Sequence, residues 1–282
     1  MAARSTRSSD PLPERVEISR HANAVFRCDC ADLLGRVGDE AIDLIYIDPP
    51  FCTQARRNGA SGANYGDSWR DGLDGYLEFL EARLRPMHRV LSRRGSLFVH
   101  LDYRTVHYVK VMLDRIFGPE NFMNEIIWSY RTGGVAKQWF GRKHQTVLAY
   151  AKRLGEHTFH QLREGEYRTD GMNYDEEGRP YKMTKKGRLY FDRRGPAVTD
   201  VWEIPFLSTV GREREGYPDQ KPLKLLERIV GCCSNEGDVV ADFFCGSGTA
   251  LVAAKRLKRR WVGCDVNPDA VVLARKRLAR EG

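Results

Sequence analysis

The sequence predicts an α/β protein built on an open, mostly parallel sheet with helices on both faces, interrupted by an irregular insertion. Three observations carry this. Short apolar runs alternate with segments of helical spacing along most of the chain, as strand–helix–strand units do. Several runs, AIDLIYI at 41–47 and GSLFVHL at 95–101 among them, are apolar enough to be buried on both faces. Between residues 153 and 216 the alternation lapses, and it resumes at Pro222.

Taken in order, residues 1–20 hold Arg4, Arg7, Pro11 and Pro13 with little apolar periodicity, and read as a flexible arm. Ala24–Cys28 reads as a short strand. The strand 41–47 stops at Asp48-Pro49-Pro50-Phe51, because proline cannot continue a central ladder. Cys52–Gly75, rich in Gly, Asn, Ser and Arg, reads as a long loop. Tyr76–Leu91 has helical spacing at Leu77, Leu80, Leu84, Met87 and Leu91. A strand at 95–101, a helix at Thr105–Phe117 closed by Gly118-Pro119, and strands at Phe122–Tyr130 and Thr146–Lys152 complete a first half, 21–152. The segment 153–216, dominated by Gly, Tyr, Arg and Lys, reads as a separate substrate-facing insertion. A second half, 217–282, follows: helix Pro222–Cys233, strand Val239–Phe243, helix Thr249–Leu257, strand Trp261–Asp265 and helix Pro268–Leu278.

Composition narrows the function classes. The chain has 282 residues, 41% hydrophobic and 30% charged, which fits two domains or one large α/β domain with an insertion and argues against global disorder. Lys+Arg 46 against Asp+Glu 38 gives a net charge of +8, a balance that favours a polyanionic partner. No run of about 18 apolar residues suggests a membrane span. Met1–Asp10 has no apolar stretch, so no secretory signal is expected. The seven cysteines are odd in number and several sit in apolar runs, so free thiols in a reducing, cytoplasmic setting are expected. Neither Cys28-x-Cys30 nor Cys232-Cys233 has zinc spacing, and no metal site is expected.

The strand at 239–243 runs into Asp242-Phe243-Phe244-Cys245-Gly246-Ser247-Gly248-Thr249, and a helix begins at once. Glycines there let the backbone approach a ligand, and the helix N-terminus offers free N–H groups. Asp265, with Val266 after it, closes the next strand roughly 20 residues on, where an acid can bind both hydroxyls of a ribose. A dinucleotide turn wants a third glycine where Leu251 stands. The form suits a nucleoside cofactor without a pyrophosphate, such as S-adenosyl-L-methionine.

Asp48-Pro49-Pro50-Phe51 sits at the carboxyl end of a buried strand, the edge at which open α/β sheets bind ligands. One reading is a turn with a helix-capping acid. The sharper one is chemical: the Asp48 carboxylate and the Pro49 carbonyl can accept both hydrogens of an –NH2 group, while Phe51 stacks on the attached ring. A ring-conjugated amine is nearly non-nucleophilic, and two acceptors bend it toward sp³ and expose its lone pair. No covalent thiol intermediate is required.

These motifs resemble the DNA amino-methyltransferases, the adenine-N6 and cytosine-N4 enzymes, in the order acidic-proline motif, variable insertion, cofactor turn that marks their β group. Three further segments are similar: Tyr217-Pro218-Asp219-Gln220-Lys221-Pro222-Leu223 with Asp219 in place of the usual Thr, the strand segment Lys143–Lys152, and Thr199–Pro205. The resemblance implies a Rossmann-like methyltransferase sheet, with 153–216 as the target-recognition insertion. It implies S-adenosyl-L-methionine held by Asp29, Cys30, Asp48, Gln220, Lys221, Pro222, the turn Asp242–Thr249, Asp265 and Val266. Asp29 reads equally as a helix N-cap. It implies adenine as the base, since adenine enzymes of the family usually carry Asp or Asn before Pro-Pro and cytosine-N4 enzymes Ser. Cytosine-N4 chemistry, or an RNA or protein-glutamine substrate, stays open. Double-stranded DNA is the expected partner, with room for a homodimer and a cognate restriction endonuclease.

Two basic stretches suit that partner. Arg131–Arg153 carries Lys137, Arg142 and Lys143 with no acid, and Arg179–Arg194 carries Lys182, Lys185, Lys186 and Arg188. Trp139, Phe140, Tyr181, Tyr190 and Phe191 are interleaved. Basic side chains neutralise phosphates, and aromatics stack on bases or fill the gap one leaves. A solvated charged face is the plainer reading. Arg56 and Arg57, in the loop after Phe51, are placed to close over an extruded base.

Overall fold

Strands from the two halves of the chain interleave in one sheet. The computed structural model describes residues 12–53, 55–58, 64–67, 69, 71–131, 135–168, 170–208, 211 and 213–281. The first half runs α1 (Ile18–His21), β1 (Ala24–Arg27), α2 (Cys30–Leu34), β2 (Ile42–Ile47), β3 (Ala55–Asn58), β4 (Asn64–Asp67), α3 (Gly72–Val90), β5 (Leu91–Leu101), α4 (Val106–Phe117), β6 (Phe122–Ser129) and β7 (His144–Ala151). Then come β8 (Asn173–Tyr174), β9 (Pro180–Thr184), β10 (Gly187–Tyr190) and β11 (Val201–Glu203). The chain ends with α5 (Leu223–Cys233), β12 (Val239–Asp242), α6 (Thr249–Arg256), β13 (Arg260–Asp265) and α7 (Pro268–Arg280).

Among the described residues the main sheet has eight strands in the order β1-β13-β12-β2-β5-β7-β6-β11. All neighbours pair in parallel except that β7 runs against both β5 and β6. The mostly parallel α/β sheet expected from the alternation is therefore present, with one reversed strand. Period-2 alternation sorts β2 into two buried sides. Ile45 and Ile47 join a core with Leu80, Leu84 and Met87 of α3 and Val109 and Leu113 of α4. Leu44 and Tyr46, on the other side, are equally buried. Arg228 of α5 places its guanidinium 5.0 Å from the Trp202 ring centroid, on the side that Tyr46 shares. Helices thus cover both faces.

Local departures from the sequence pattern have local causes. The loop Cys52–Gly75 contains the antiparallel hairpin β3–β4, with Arg56 opposite Gly66 and Arg57 opposite Tyr65. Of the arm 1–20, residues 1–11 lie outside the described residues, while Val16 and Ile18 are buried in the core rather than flexible. Arg36 donates to the carbonyls of Leu12 and Pro13 at 3.2 and 2.9 Å, which ties the segment down. Two apolar residues are too few to show a period, yet enough to bury.

Contacts divide the described residues into two compact units, one within Met1–Phe159 and Asp200–Gly282, the other His160–Thr199. The second unit is shorter than the segment 153–216, because β11 returns to the main sheet, pairing Trp202 with Trp128. Nor is it wholly irregular: β8, β9 and β10 form a small antiparallel sheet. Most of its strand side chains are exposed, so no face had to be apolar and the alternation that flags a strand is missing.

Candidate active site

The site begins with two strand ends. β2 stops before Pro49 and Pro50, which have no N–H to donate, and leaves Asp48 at the carboxyl edge. β12 stops at Asp242, where the glycine turn starts. The two strands are parallel neighbours with Asp242 opposite Tyr46, so the acidic-proline turn and the glycine turn meet, as their placement on adjacent strands required. Both line one cavity of about 580 Å³.

The glycine turn needs its glycines. Gly248 caps α6 at φ +77°, and a Cβ there would sit 2.8 Å from the Ala274 Cβ of α7. Gly246 has φ +46°, and its Cβ would meet the Tyr217 ring at 2.9 Å. The turn is held from behind by Arg277, which donates to the Ser247 carbonyl at 2.9 Å, the Ser247 hydroxyl at 3.1 Å and the Thr249 hydroxyl at 3.0 Å. Burial lowers the Arg277 pKa, offset by the carboxylates of Glu215, Glu213 and Glu281.

Asp265 accepts the Gly246 N–H at 2.9 Å and the Asn267 N–H at 2.8 Å, one on each oxygen. Burial nevertheless raises its pKa above the usual carboxylate range. Asp242 accepts the Phe244 N–H at 3.1 Å. Burial, together with the charges of Asp48 and Asp265, pushes its pKa well up. Asp48, Asp242 and Asp265 all line the cavity, so its charge suits a cationic ligand, and its backbone turn suits one that lies close. A sulfonium carrying an amino acid and a nucleoside fits both features.

Lys221 joins the halves. Its Nζ lies 2.8 Å from Asp48 Oδ2 with the side chain only 4% exposed, and 4.7 Å from the centroid of Phe51. Asp29 caps α2 through the Ala31 N–H at 2.8 Å and pairs with Arg83 at 2.6 Å. Burial acts to raise its pKa, but these two partners outweigh it and hold the carboxyl below its ordinary value. Asp29 therefore serves as cap and as cavity wall at once. Gln220, also on the wall, is engaged structurally: its oxygen accepts the Glu215 N–H and its amide donates to the Glu213 carbonyl, each at 2.8 Å.

Of the residues expected to touch a cofactor, Asp29, Cys30, Asp48, Gln220, Lys221, Asp242, Phe243, Phe244, Cys245, Gly246, Ser247, Thr249, Asp265 and Val266 line the cavity, as do Pro49, Pro50 and Phe51. Pro222 and Gly248 instead cap α5 and α6. Burial pushes the Cys30 thiol up to about 12, and raises Cys245 well above its usual value, so neither offers a thiolate. Tyr217, from the segment similar to the family's, and Trp69, from the loop after Phe51, also line the cavity, as do Phe79 and Arg83, which were not anticipated. The Trp69 ring lies tilted by 50° against Phe79, with centroids 4.6 Å apart, and Arg83 lies 3.6 Å over the Phe79 ring. The i, i+4 spacing of Phe79 and Arg83 was the available signal.

Of the candidate DNA contacts, the Arg142 guanidinium lies 3.8 Å from the Tyr103 ring centroid and 5.7 Å from that of Trp139. Lys137 is exposed and Lys143 half-buried just before β7. Lys182, Lys185, Lys186 and Arg188 belong to the His160–Thr199 unit, where Arg188 lies 4.8 Å over Tyr181. The side chains of Arg56 and Arg57 lie outside the described residues.

A mostly parallel sheet whose carboxyl edge carries a glycine turn, a distal acid and an acidic-proline turn around one acidic cavity defines a methyltransferase-type α/β protein. Residues 42–276 match the family model of N6/N4 methyltransferases described as DNA methylase. The chain is 30% identical over 251 residues to the Type II methyltransferase M.HpaI of Haemophilus parainfluenzae, covering 88% of this chain and 71% of that protein. It is 25% identical over 272 residues to the DNA adenine methyltransferase YhdJ of Escherichia coli K12, covering 94% and 85%. Among solved structures, the M1.HpyAVI–SAM complex superposes with TM-score 0.61 at 18% identity, covering 90% of this chain and 98% of that one. The cytosine-N4-specific PvuII DNA methyltransferase gives TM-score 0.62 at 19% identity, covering 90% and 85%. These two share the fold. The chain belongs to the S-adenosylmethionine-dependent DNA amino-methyltransferase family, the N6-adenine/N4-cytosine enzymes.

Proposed function

We propose that this protein methylates the exocyclic N6 of adenine in double-stranded DNA, at a specific sequence and on a base turned out of the helix. The observation that carries the reading is Asp48 at the carboxyl edge of β2, neighbour to the acidic glycine-turn cavity. When bound, S-adenosyl-L-methionine supplies a methyl made electrophilic by its sulfonium charge. The acids Asp242 and Asp265 balance cationic charge in a buried site. The glycine turn, braced by Arg277, brings backbone close to the cofactor. Asp48 and the Pro49 carbonyl accept the hydrogens of the amine, and Phe51 stacks on its ring, so that most of the acceleration comes from positioning.

A relative named for adenine, YhdJ, aligns along 94% of this chain, which supports adenine over cytosine. Duplex reading is supported by the exposed basic residues before β7 and in the His160–Thr199 unit, with the cost of turning out a base recovered in pocket contacts. Among the described residues no helix is long and apolar enough to cross a membrane. The test is mass analysis of nucleosides from duplex DNA incubated with protein and cofactor. N6-methyladenine is expected. N4-methylcytosine without N6-methyladenine would reassign the base, and methylation of RNA alone would reassign the substrate.

A further inference from the structure

Tyr46, His100 and Gln145 form a polar chain across three adjacent strands, its Tyr46 end beside the acidic-proline turn and its Gln145 end two strands away at the same carboxyl edge. Tyr46 lies two residues before Asp48, on the same side of β2. Its hydroxyl is 2.8 Å from His100 Nδ1 on β5. His100 Nε2 is 2.7 Å from Gln145 Oε1, at the start of β7. Because β7 is the reversed strand, its start lies at the carboxyl edge where β2 and β5 end. The imidazole is fully buried, with ring centroids 6.2 Å from Phe51 and 5.5 Å, edge to face, from Trp128. Gln145 itself is half-buried and opposes Trp128 in the sheet.

The chemistry of these groups sets the direction of every hydrogen. Burial, and then the nearby Lys221 ammonium, keep His100 neutral by pushing its pKa well below the usual range, so it carries one N–H. An amide oxygen only accepts. The imidazole must therefore donate from Nε2 to Gln145 and accept at Nδ1 from the Tyr46 hydroxyl. With its oxygen committed to the imidazole, the Gln145 amide turns its –NH2 away from it.

We propose that Gln145 is a base-reading residue, donating from that –NH2 to the ring nitrogen beside the amine held by Asp48 and Pro49, with Tyr46 and His100 as positioning residues that fix the donor's direction. The inference rests on the amino-methyltransferase reading. An amino base offers two hydrogens on its amine and a lone pair on the adjacent ring nitrogen, N1 of adenine or N3 of cytosine. Acceptors alone would leave that nitrogen unpaired in a closed pocket, which is costly. A donor there also rejects keto bases, because hypoxanthine, uracil and thymine carry an N–H at the same place and two donors would face each other.

The test uses the full protein and a duplex carrying its methylation site, located by modification-sensitive sequencing. Gln145→Ala is expected to lower kcat/KM on the natural base by about 10- to 100-fold, the usual worth of a base-edge contact. Replacing the target by its analogue with carbon at the reading position (1-deazaadenine, or 3-deazacytosine if cytosine is methylated) should cost the wild-type protein a similar factor. The two changes combined should cost no more than either alone. Gln145→Glu, which keeps the size and removes the donor, should behave as Gln145→Ala does. Multiplying losses, or unchanged turnover in Gln145→Ala, would overturn the proposal, and so would the same non-additivity with 7-deazaadenine in place of 1-deazaadenine. Absence of any base-amine methylation by the wild-type protein is a separate outcome that removes the underlying reading and this proposal together.

Discussion

Lys221 Nζ lies 2.8 Å from Asp48 Oδ2, so a buried ammonium from the segment before α5 meets the carboxylate of the acidic-proline turn. Each charge is what makes the other tolerable there. Taking away one partner leaves a charge in a poorly solvated site, which typically costs about 3–5 kcal/mol, whereas removing both is far milder. Lys221→Met and Asp48→Asn are therefore expected each to lower the urea midpoint of the cofactor-free protein, with the double variant closer to wild type than the sum. Equilibrium unfolding of the four proteins measures the coupling. Strict additivity would mean that the pair contributes nothing to the fold. On the proposed mechanism both single variants should also lose methyl transfer, Asp48 as an acceptor for the amine and Lys221 through its contacts with Asp48 and Phe51.

Asp242 makes the site pH-sensitive. Its pKa is raised well above the usual value by burial and by the charges of Asp48 and Asp265. The folded cofactor-free protein thus holds a proton that the unfolded chain has released. That stabilising contribution is complete below the unfolded value near 4 and is lost as pH rises through the raised folded value. A cationic ligand favours the ionised acid, so binding releases the proton and tightens with rising pH over the same window. Asp242→Asn keeps the acceptor for the Phe244 N–H. It is expected to raise the stability of the cofactor-free protein at neutral pH by about 1 kcal/mol, the scale of active-site stability trade-offs. It should also weaken S-adenosylmethionine by about tenfold or more, the worth of one charged contact, and remove most of the pH dependence, leaving the smaller part from Asp265. Calorimetric titrations in two buffers of different ionisation enthalpy read the proton release directly. An unchanged proton count in Asp242→Asn would assign the titration elsewhere.

What the sequence makes legible here is what short-range pattern encodes. β2 and β12 announce themselves by continuous apolar runs, and the residues that end them, Pro49 and Gly246, are local. Once two such strands are known to share a sheet, the meeting of their turns needs no further information. Long-range partners carry no such mark. Arg277 looks like one basic residue among several on a surface helix, yet it is buried and braces Ser247 and Thr249 from 28 residues away or more. His100 reads as one polar residue in a strand, and only the register of β2, β5 and β7 reveals Tyr46 and Gln145 on either side. The small sheet of the His160–Thr199 unit was hidden for the opposite reason: strands that bury little need no apolar alternation.

On the proposed reading, the surface before β7 offers two kinds of DNA contact. Phe140 is 97% exposed and Trp139 60% exposed, while Arg142 is stacked on Tyr103 at 3.8 Å. A cation held flat on an aromatic keeps its charge and loses rotamer freedom, which suits a phosphate. A bare phenyl ring gains nothing from phosphate and much from base stacking. Arg142→Ala is therefore expected to weaken duplex binding with a shallower salt dependence, the slope of log K against log salt falling by about one phosphate's worth, while Phe140→Ala weakens binding by about 1–3 kcal/mol with the slope unchanged. Fluorescence anisotropy across a salt series measures both. A Phe140→Ala protein that binds as wild type, or an Arg142→Ala protein with an unaltered slope, would move the DNA interface away from this face. If both outcomes hold, the stacking residue and the charged residue act on the same duplex through separable terms, and a Phe140→Trp variant should restore the affinity that alanine removes without altering its response to salt.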